Sequence, residues 1–322
     1  MSAAEPIEQL LQRRLLIVIG KGGVGRTSVS AALAVMANQR GARVLIIEAE
    51  LRAPIAAAYG KRAGFEPVEL QPRLYAMALR GQESLEEYLS FVVPKRILRM
   101  VFGTSLYQYF VQAAPAVREL TMMGKVFHEV ERRAPSLPPW DLVIFDTPAS
   151  GQALSMIRMP FAAGETFGEG MVGHEAAAIG QLLHDQAKCA IVAVTTAEPL
   201  ALKETLQIYR ALRKLDLATA AVFFNRISAA AFDNAAIGRM MRRYGGAGWI
   251  DGLDKLARIA RAELKRRTRE RRALTLLRRG IACPVLTITE HGEPAGKALF
   301  EALSGQLDRP DCSTPASVPR QS

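Results

Sequence analysis

One nine-residue stretch decides the fold of this chain: Gly20-Lys21-Gly22-Gly23-Val24-Gly25-Arg26-Thr27-Ser28. The apolar run at residues 15–19 precedes it and predicts a strand that is buried on both faces. The Ala-rich run at residues 29–39 follows it and has apolar residues at helical spacing. A glycine loop between a strand and a helix N-terminus presents backbone N–H groups and the positive end of the helix dipole to an anion. The stretch therefore predicts a phosphate-binding loop.

Two phosphate-binding motifs overlap in this loop, and the first is that of the dinucleotide-binding folds. Gly20, Gly22 and Gly25 satisfy its G-x-G-x-x-G pattern. In those folds an acidic residue at the end of the next strand binds the ribose, and Glu48 or Glu50 lies at about that distance. A dinucleotide site is thus one interpretation of the loop.

The second motif is the P loop of nucleoside-triphosphate-binding proteins, G-x-x-x-x-G-K-[ST]. Gly20, Gly25, Arg26 and Thr27 nearly satisfy it, with arginine in place of the usual lysine. Thr27 supplies a hydroxyl at the position that binds Mg²⁺, and Lys21 adds a cation that a dinucleotide site does not require. These two features favour a nucleoside triphosphate as the ligand.

The composition indicates a globular protein and excludes few other functions. The chain has 322 residues, of which 49% are hydrophobic, and the longest apolar runs are far below the ~18 residues that span a bilayer. Residues 1–14 lack the apolar core of a signal peptide. The three cysteines form no C-x-x-C pair, which indicates a reducing compartment, so we expect a cytoplasmic location.

The net charge of +11 is concentrated near residues 251–280, which carry 11 Lys and Arg against four Asp and Glu. One interpretation is a patch for nucleic acid or for peripheral contact with an acidic membrane. The other is the solvated face of a helix whose leucines point inward. No aromatic residues interleave to stack on bases, so we favour the helix and find no strong nucleic-acid signal.

Further strand patterns alternate with helical ones along the chain, at residues 43–48, 73–79, 140–146, 190–196, 220–225 and 284–288. This alternation predicts an α/β fold with a mostly parallel sheet covered by helices on both faces, in one P-loop domain. Residues 80–138 and 161–188 interrupt it and predict an inserted helical subdomain, with a glycine-rich lid at residues 164–173. Residues 305–322 are rich in Ser, Pro and Gln and predict a disordered tail.

An acidic residue, Asp146, ends the predicted strand at residues 140–146. In P-loop enzymes such an acid supports Mg²⁺ or its water shell. The alternative is an aspartate that only caps the following turn. Because the phosphate loop lies upstream, we predict that Thr27 and Asp146 form the metal site, with Asp146 acting through water.

Three segments of the sequence resemble motifs of one known class of ATPases. The loop, with its extra lysine, resembles the deviant Walker A motif of the MinD/ParA/ArsA class of ATPases. The run Asp146-Thr147-Pro148-Ala149-Ser150-Gly151-Gln152-Ala153-Leu154, ending at Met159-Pro160, resembles the switch II segment of the ArsA/Get branch. The run Thr195-Thr196-Ala197-Glu198-Pro199-Leu200 with Glu204 is also similar to that branch. These motifs occur in the same order as in the family and disfavour the dinucleotide interpretation.

The resemblance implies a Mg-ATP-dependent ATPase that opens and closes as a homodimer or a heterodimer with a similar ATPase. In the family the position of Lys21 reaches the nucleotide of the facing subunit, and the position of Asn225 reads adenine. A cation placed where charge develops on the phosphoryl group acts as an arginine finger does. The family's client is hydrophobic or a protein, and Met and aromatic side chains within residues 80–138 are the candidates to bind it, namely Met100, Phe102, Tyr107, Tyr109, Phe110, Met122, Met123 and Phe127.

Two departures from the family pattern concern catalysis. Arg26 replaces the Walker lysine with a planar group that does not fit among the phosphate oxygens as an ammonium does. Glu50 stands where the family has an aspartate that orients the attacking water, and it either does the same work or misplaces that water. We therefore take Lys21, Arg26 and Glu50 as the catalytic residues of an ATPase that these two departures would slow.

Two other classes stay open. One is a ParA/MinD-like positioning ATPase that uses residues 251–280 on DNA or membrane. The other is a weakly hydrolysing nucleotide-binding subunit paired with an active paralogue. An arsenite pump is disfavoured, because Cys189, Cys283 and Cys312 form no cluster of soft ligands.

Overall fold

Eight strands of the described chain form one sheet with helices on both faces. The structure is a computed structural model that describes residues 4–49, 52–92, 115–131, 139–168, 170–228, 239, 242–243, 251–293 and 295–308. The strands are β1 Leu15–Gly20, β2 Val44–Glu48, β3 Val68–Gln71, β4 Leu74–Ala78, β5 Leu142–Asp146, β6 Cys189–Thr195, β7 Thr219–Ile227 and β8 Val285–Thr289. The helices are α1 Ala4–Leu11, α2 Arg26–Gln39, α3 Pro54–Ala58, α4 Gly81–Val92, α5 Pro115–Glu131, α6 Ser150–Phe167, α7 Met171–His184, α8 Pro199–Arg213, α9 Asp251–Gly280 and α10 Lys297–Leu307.

Strand β1, which leads into the glycine loop, lies inside the sheet, whose order is β3-β4-β2-β5-β1-β6-β7-β8. It pairs in parallel with β5 on one side and with β6 on the other. The edge strand β3 is antiparallel to β4, and every other pairing in the described sheet is parallel. The prediction of an α/β fold with a mostly parallel sheet is confirmed.

The apolar run of β1 is continuous because its side chains enter two cores. Leu16 and Val18 belong to the core beneath α1, α2, α3 and α10. Leu15, Ile17 and Ile19 belong to the core beneath the helices α5 to α9. Successive side chains of a strand point to opposite faces, so a strand covered on both sides needs apolar residues at every position.

Helix α5 is attached to the sheet by a buried ionic cluster as well as by apolar packing. The ammonium group of Lys125 lies 2.8 Å from Glu87 Oε1 on α4 and 3.3 Å from Glu129 Oε1 on its own helix. The second carboxylate oxygen of Glu129 accepts a hydrogen bond of 3.0 Å from the Trp140 indole, just before β5. Each buried charge therefore has a partner, as burial of charge requires.

The structure changes several boundaries that we predicted from the sequence. Helix α2 begins at Arg26 rather than at residue 29. The loop therefore ends at its last glycine, Gly25, and Arg26, Thr27 and Ser28 form the first turn of the helix. Strand β3 was not predicted, since its four residues Val-Glu-Leu-Gln carry only a weak alternating pattern. Residues 305–307 are not disordered: they form the last turn of α10, where Leu307 is buried. Residues 309–322 lie outside the described ranges.

The predicted glycine-rich lid is mostly helix. Gly164 lies within α6 and Gly173 within α7. Gly173 allows a close approach, because a Cβ there would lie 1.8 Å from the carbonyl oxygen of Gly168. The glycines thus serve the packing of a helical hairpin, and the action of this segment as a lid stays a prediction.

Of the side chains predicted to bind a client, those of Met122 and Met123 are buried in the core and present no binding surface. Phe127 is partly buried against the same core. Met100, Phe102, Tyr107, Tyr109 and Phe110 lie outside the described residues. Within the described ranges, no helix combines the length and apolar character that a bilayer crossing requires.

Candidate functional site

The candidate site lies where the carboxyl ends of the central parallel strands meet. The glycine loop follows β1, the switch II segment follows β5, and Asn225 lies near the end of β7. In the register of the sheet Val18 is opposite Asp146, and Gly20 is opposite Val194. Ligands of open parallel sheets bind at this edge, so residues far apart in sequence converge on one site.

Glycine is needed at both ends of the loop. A Cβ at Gly20 would lie 2.4 Å from the carbonyl oxygen of Val194, and one at Gly25 would lie 2.3 Å from the side-chain amide of Asn225. Gly25 also has a φ of +94°, in the left-handed region. A Cβ added at Gly22 or Gly23 would instead meet nothing within 4 Å, so the middle of the loop faces open space. This is the form of a cradle for phosphate.

The predicted metal residues are in direct contact. Thr27 Oγ1 donates a 2.7 Å hydrogen bond to Asp146 Oδ2, and Ser30 Oγ donates a 3.0 Å hydrogen bond to Asp146 Oδ1. Asp146 is buried, so these hydroxyls compensate part of the cost of burying its carboxylate. We did not predict Ser30; its position one helical turn after Thr27 is the signal that indicates it.

Arg26, at the Walker lysine position, is buried and turned toward the switch II segment. Its Nη1 donates to the carbonyl oxygen of Thr147 at 2.6 Å and also to that of Pro148. Thr147 in turn donates a 2.8 Å hydrogen bond to the carbonyl oxygen of Val18 in β1. The guanidinium therefore links the start of α2 to the segment after β5.

Asn225 joins the glycine loop to β7. Its side-chain Nδ2 donates to the carbonyl oxygen of Val24 at 2.8 Å, and its Oδ1 accepts from the backbone N–H of Arg226 at 2.9 Å. Arg226 has a φ of +59°, an uncommon value for a residue other than glycine. The side chain thus positions the loop, and its predicted role in reading adenine stays a prediction.

Lys21 is only partly buried, and the described part of the chain offers it no hydrogen bond or ion pair. Gly20, Val24 and Ser28 lie beside it in the loop and the first turn of α2, as predicted. Glu50, the third predicted catalytic residue, lies outside the described residues. The nearby Glu48 is buried and accepts hydrogen bonds from the backbone N–H groups of Ile55 at 2.7 Å and Ala56 at 3.1 Å.

The segment that contains this geometry matches a known family. A family model described as anion-transporting ATPase (ArsA ATPase) matches residues 13–176, which include the glycine loop, Thr27 and Asp146. The chain belongs to the ArsA ATPase family. Membership in this family of ATPases disfavours the dinucleotide interpretation. Glu48, which that interpretation assigned to ribose, instead holds the N-terminus of α3.

The relatives of this ArsA family member described next have low sequence identity to it, between 23% and 27%. ATPase BagA of Mycobacterium tuberculosis is 27% identical over 224 residues, which cover 66% of this chain and 65% of that protein. A provisionally named arsenical pump-driving ATPase of Prosthecochloris vibrioformis is 26% identical over 149 residues, 46% of this chain and 36% of that one. ATPase ASNA1 homolog 1 of Paramecium tetraurelia is 23% identical over 146 residues, 45% and 43% of the two chains. This chain therefore spans less than two thirds of the length of each.

The described cysteines of this ArsA family member, Cys189 and Cys283, are at least partly buried. Burial raises the pKa of the Cys189 thiol and that of the Cys283 thiol to about 12, so neither is a thiolate near neutral pH. Across the described ranges no group of His, Cys, Asp and Glu side chains is arranged to hold a metal ion by itself. Cys312 lies outside those ranges.

Proposed function

We propose that this protein binds Mg-ATP in the glycine loop and hydrolyses it, and that it works as a dimer on a hydrophobic or protein client. The observation that carries the proposal is the 2.7 Å contact between Thr27 and the Asp146 carboxylate, beside the open glycines of the loop. Family membership and the ATPase names of the relatives support ATP as the ligand.

The donor set fits Mg²⁺. A hydroxyl and a carboxylate are hard oxygen ligands, so Thr27 would bind the ion and Asp146 would hold its waters. When bound, the ion neutralises charge on the phosphate oxygens. The chain itself contributes the N–H groups of the loop and the dipole of α2 to its own nucleotide, whereas the family resemblance assigns the cation of Lys21 to the nucleotide of the facing subunit.

In the proposed ATPase cycle, Arg26 binds the switch II segment before hydrolysis begins. Its hydrogen bonds to Thr147 and Pro148 hold the switch II segment against α2. Because Nη1 donates to both carbonyl oxygens, the guanidinium is anchored to the switch II segment and has to reorient to bring Nη1 to a phosphate oxygen. We therefore propose that hydrolysis is slow, because exchange of these partners precedes the chemical step.

The switch II segment, which Arg26 holds, continues directly into α6. We propose that α6 transmits movement from the nucleotide to the client. Ser150, the first residue of α6, donates a 2.8 Å hydrogen bond to Glu204 on α8. Phe167 ends α6 and Met171 begins α7, and these side chains are 54% and 55% exposed. Movement of the switch II segment would displace this helix as a unit, and its apolar end is the described surface best suited to a client.

The ligand is tested by thermal unfolding. We expect Mg-ATP or Mg-ADP at about 100 times its Kd to raise the melting temperature by about 4 °C, since binding to the folded state alone stabilises it by about 2.7 kcal/mol and the entropy of unfolding scales with chain length. NAD and NADP should cause no shift. A shift with the dinucleotides and none with Mg-ATP would contradict the proposal.

Two glycine variants make this test specific to the loop. Gly25→Ala places a Cβ against Asn225 and should abolish the shift with Mg-ATP. Gly64→Ala is the control, because nothing lies within 4 Å of its added Cβ, and it should keep the full shift.

The slow step is tested by Arg26→Lys. Lysine has a shorter side chain than arginine, and its ammonium matches the usual P-loop cation. We therefore expect the switch II carbonyls to hold it less firmly and kcat to rise about tenfold, a change of about 1.4 kcal/mol. Phosphate release at saturating Mg-ATP measures it. Addition of Glu50→Asp should raise kcat further if Glu50 misplaces the water.

The matched control is Arg14→Lys. Arg14 also donates to two backbone carbonyls, those of Trp140 at 2.7 Å and Val130 at 2.9 Å, but at the opposite edge of the sheet. It should lose stability without gaining turnover. If Arg26→Lys leaves kcat unchanged or lowers it, the native arginine is competent or the chain is a nucleotide-binding subunit whose active partner hydrolyses ATP.

A further inference from the structure

We propose that a groove between α8 and α9 binds an acidic amphipathic helix of a partner protein. The groove has a volume of about 550 Å³ and runs between the first turn of α8 and the middle of α9. None of the residues that line the groove is among those that we predict to bind nucleotide, so the proposal does not depend on the ATPase activity.

The floor of the groove is apolar. Leu202 on α8 and Ala273 on α9 are buried at its base, and Pro199 completes the α8 side. Leu276 borders the groove and is 55% exposed, although it is a large apolar side chain. An apolar floor with an exposed leucine at its border is suited to the apolar face of a helix.

The rim of the groove is basic. Lys265, Arg269 and Arg272 line it and are spaced four and three residues apart, so they form one stripe along α9. All three are exposed, and none has an ion pair with a described carboxylate. Their neighbours differ: Arg266 binds Glu270 and Glu290, and Arg267 binds Glu263. Glu270 and Glu263 thus pair with Arg266 and Arg267, and the groove side of α9 keeps its positive charge.

Charge complementarity identifies the occupant. An acidic partner would match the rim, whereas a second copy of this chain carries the same net charge of +11. The longer segments outside the described residues are not acidic either. Residues 93–114 have three Lys and Arg and no Asp or Glu, and residues 309–322 have two Arg and one Asp. No such segment of the chain complements the rim.

The shape of the surface favours a helix over a membrane. Its apolar residues lie in a concave floor between two helices, and the cations stand along one rim. A bilayer instead receives apolar side chains that project from a convex face. Basic residues at spacings of three and four match Glu residues at the same spacings on a partner helix.

The experiment uses the full chain and a synthetic fluorescein-labelled helix with leucines on one face and glutamates on the other. Fluorescence anisotropy measures the Kd, which we expect to rise steeply with salt. Arg272→Glu should weaken binding about tenfold or more, because it places like charges together. Arg271→Glu is the matched control: it is adjacent and equally basic but does not line the groove, and it should change the Kd little.

A second pair of variants tests the apolar floor. Leu276→Asp should weaken binding about tenfold, whereas Ile259→Asp, at a residue of α9 that is 65% exposed but outside the groove, should not. Circular dichroism checks that all four variants fold.

Three results would overturn the proposal. Equal effects of Arg272→Glu and Arg271→Glu would mean that net charge alone attracts the peptide. Equal binding of a peptide with the same composition but scrambled order would mean that the groove does not recognise an amphipathic face. Binding to phosphatidylserine vesicles or duplex DNA, without binding to the helical peptide, would assign the basic residues to the membrane or DNA class.

Discussion

Replacing Asp146 with asparagine is expected to lower the rate of Mg-ATP hydrolysis by about 10²–10³-fold, or about 2.7–4 kcal/mol of transition-state stabilisation. The carboxylate lies buried at the end of β5 and accepts hydrogen bonds from Thr27 and Ser30. An amide of similar shape keeps the volume but removes the negative charge that would hold the waters of Mg²⁺. Phosphate release at saturating Mg-ATP is the measurement.

Asp141→Asn is the control for this variant. Asp141 directly precedes the same strand and also accepts hydrogen bonds, from the Arg43 backbone N–H at 2.7 Å and from the Arg73 side chain at 3.4 Å. It lies at the amino end of β5, away from the glycine loop, so hydrolysis should be unchanged. Similar losses in both variants would show that stability, rather than a metal site, explains the effect of Asp146.

The second large effect is expected for Lys21→Ala, which should lower kcat about 10³-fold and change the Kd of ATP by only a few fold. The resemblance to the family assigns this cation to the nucleotide of a facing subunit, and the partly exposed side chain of Lys21, unpaired among the described residues, supports that role. Lys188→Ala is the control, because Lys188 lies before β6 at the opposite edge of the sheet and pairs with Asp185 at 3.8 Å.

Mixing the two inactive variants separates action across a dimer from action within one chain. In a mixed dimer, the Lys21→Ala subunit keeps Asp146 and receives Lys21 from its neighbour, so one composite site is intact. If subunits exchange randomly, about a quarter of the native activity should return in an equimolar mixture. No recovery, in a mixture shown by light scattering to contain dimers, would contradict the dimer proposal.

The sequence predicts the centre of the fold well because the signals there are local. An apolar strand, a glycine loop and a helix are contiguous at residues 15–39, and a parallel sheet brings the end of every central strand to one edge. The proximity of Thr27 and Asp146 follows from that geometry, and the structure gives them a hydrogen bond. Their roles in metal binding and catalysis stay predictions.

Other features depend on distant contacts and could not be predicted. Nothing in the order of residues indicates that Arg26 turns toward Thr147, or that Asn225 needs the space above Gly25. The glycines at residues 164–173 indicate a loop locally, but tertiary packing uses them inside a helical hairpin. The last turn of α10 likewise lies in a polar stretch, and burial of Leu307 is what holds it in the helix.

The place of β1 inside the sheet also has a consequence for how the protein is made. Both strands that flank β1 come much later in the chain, at residues 142–146 and 189–195. At about 5–20 residues per second, a ribosome needs on the order of ten seconds or more to supply them. Throughout that time Leu15–Gly20 is an apolar segment with two unpaired edges, a form that is prone to aggregation. We therefore expect the nascent chain to be most prone to aggregation early in synthesis, and its candidate site is completed only after β7 has delivered Asn225.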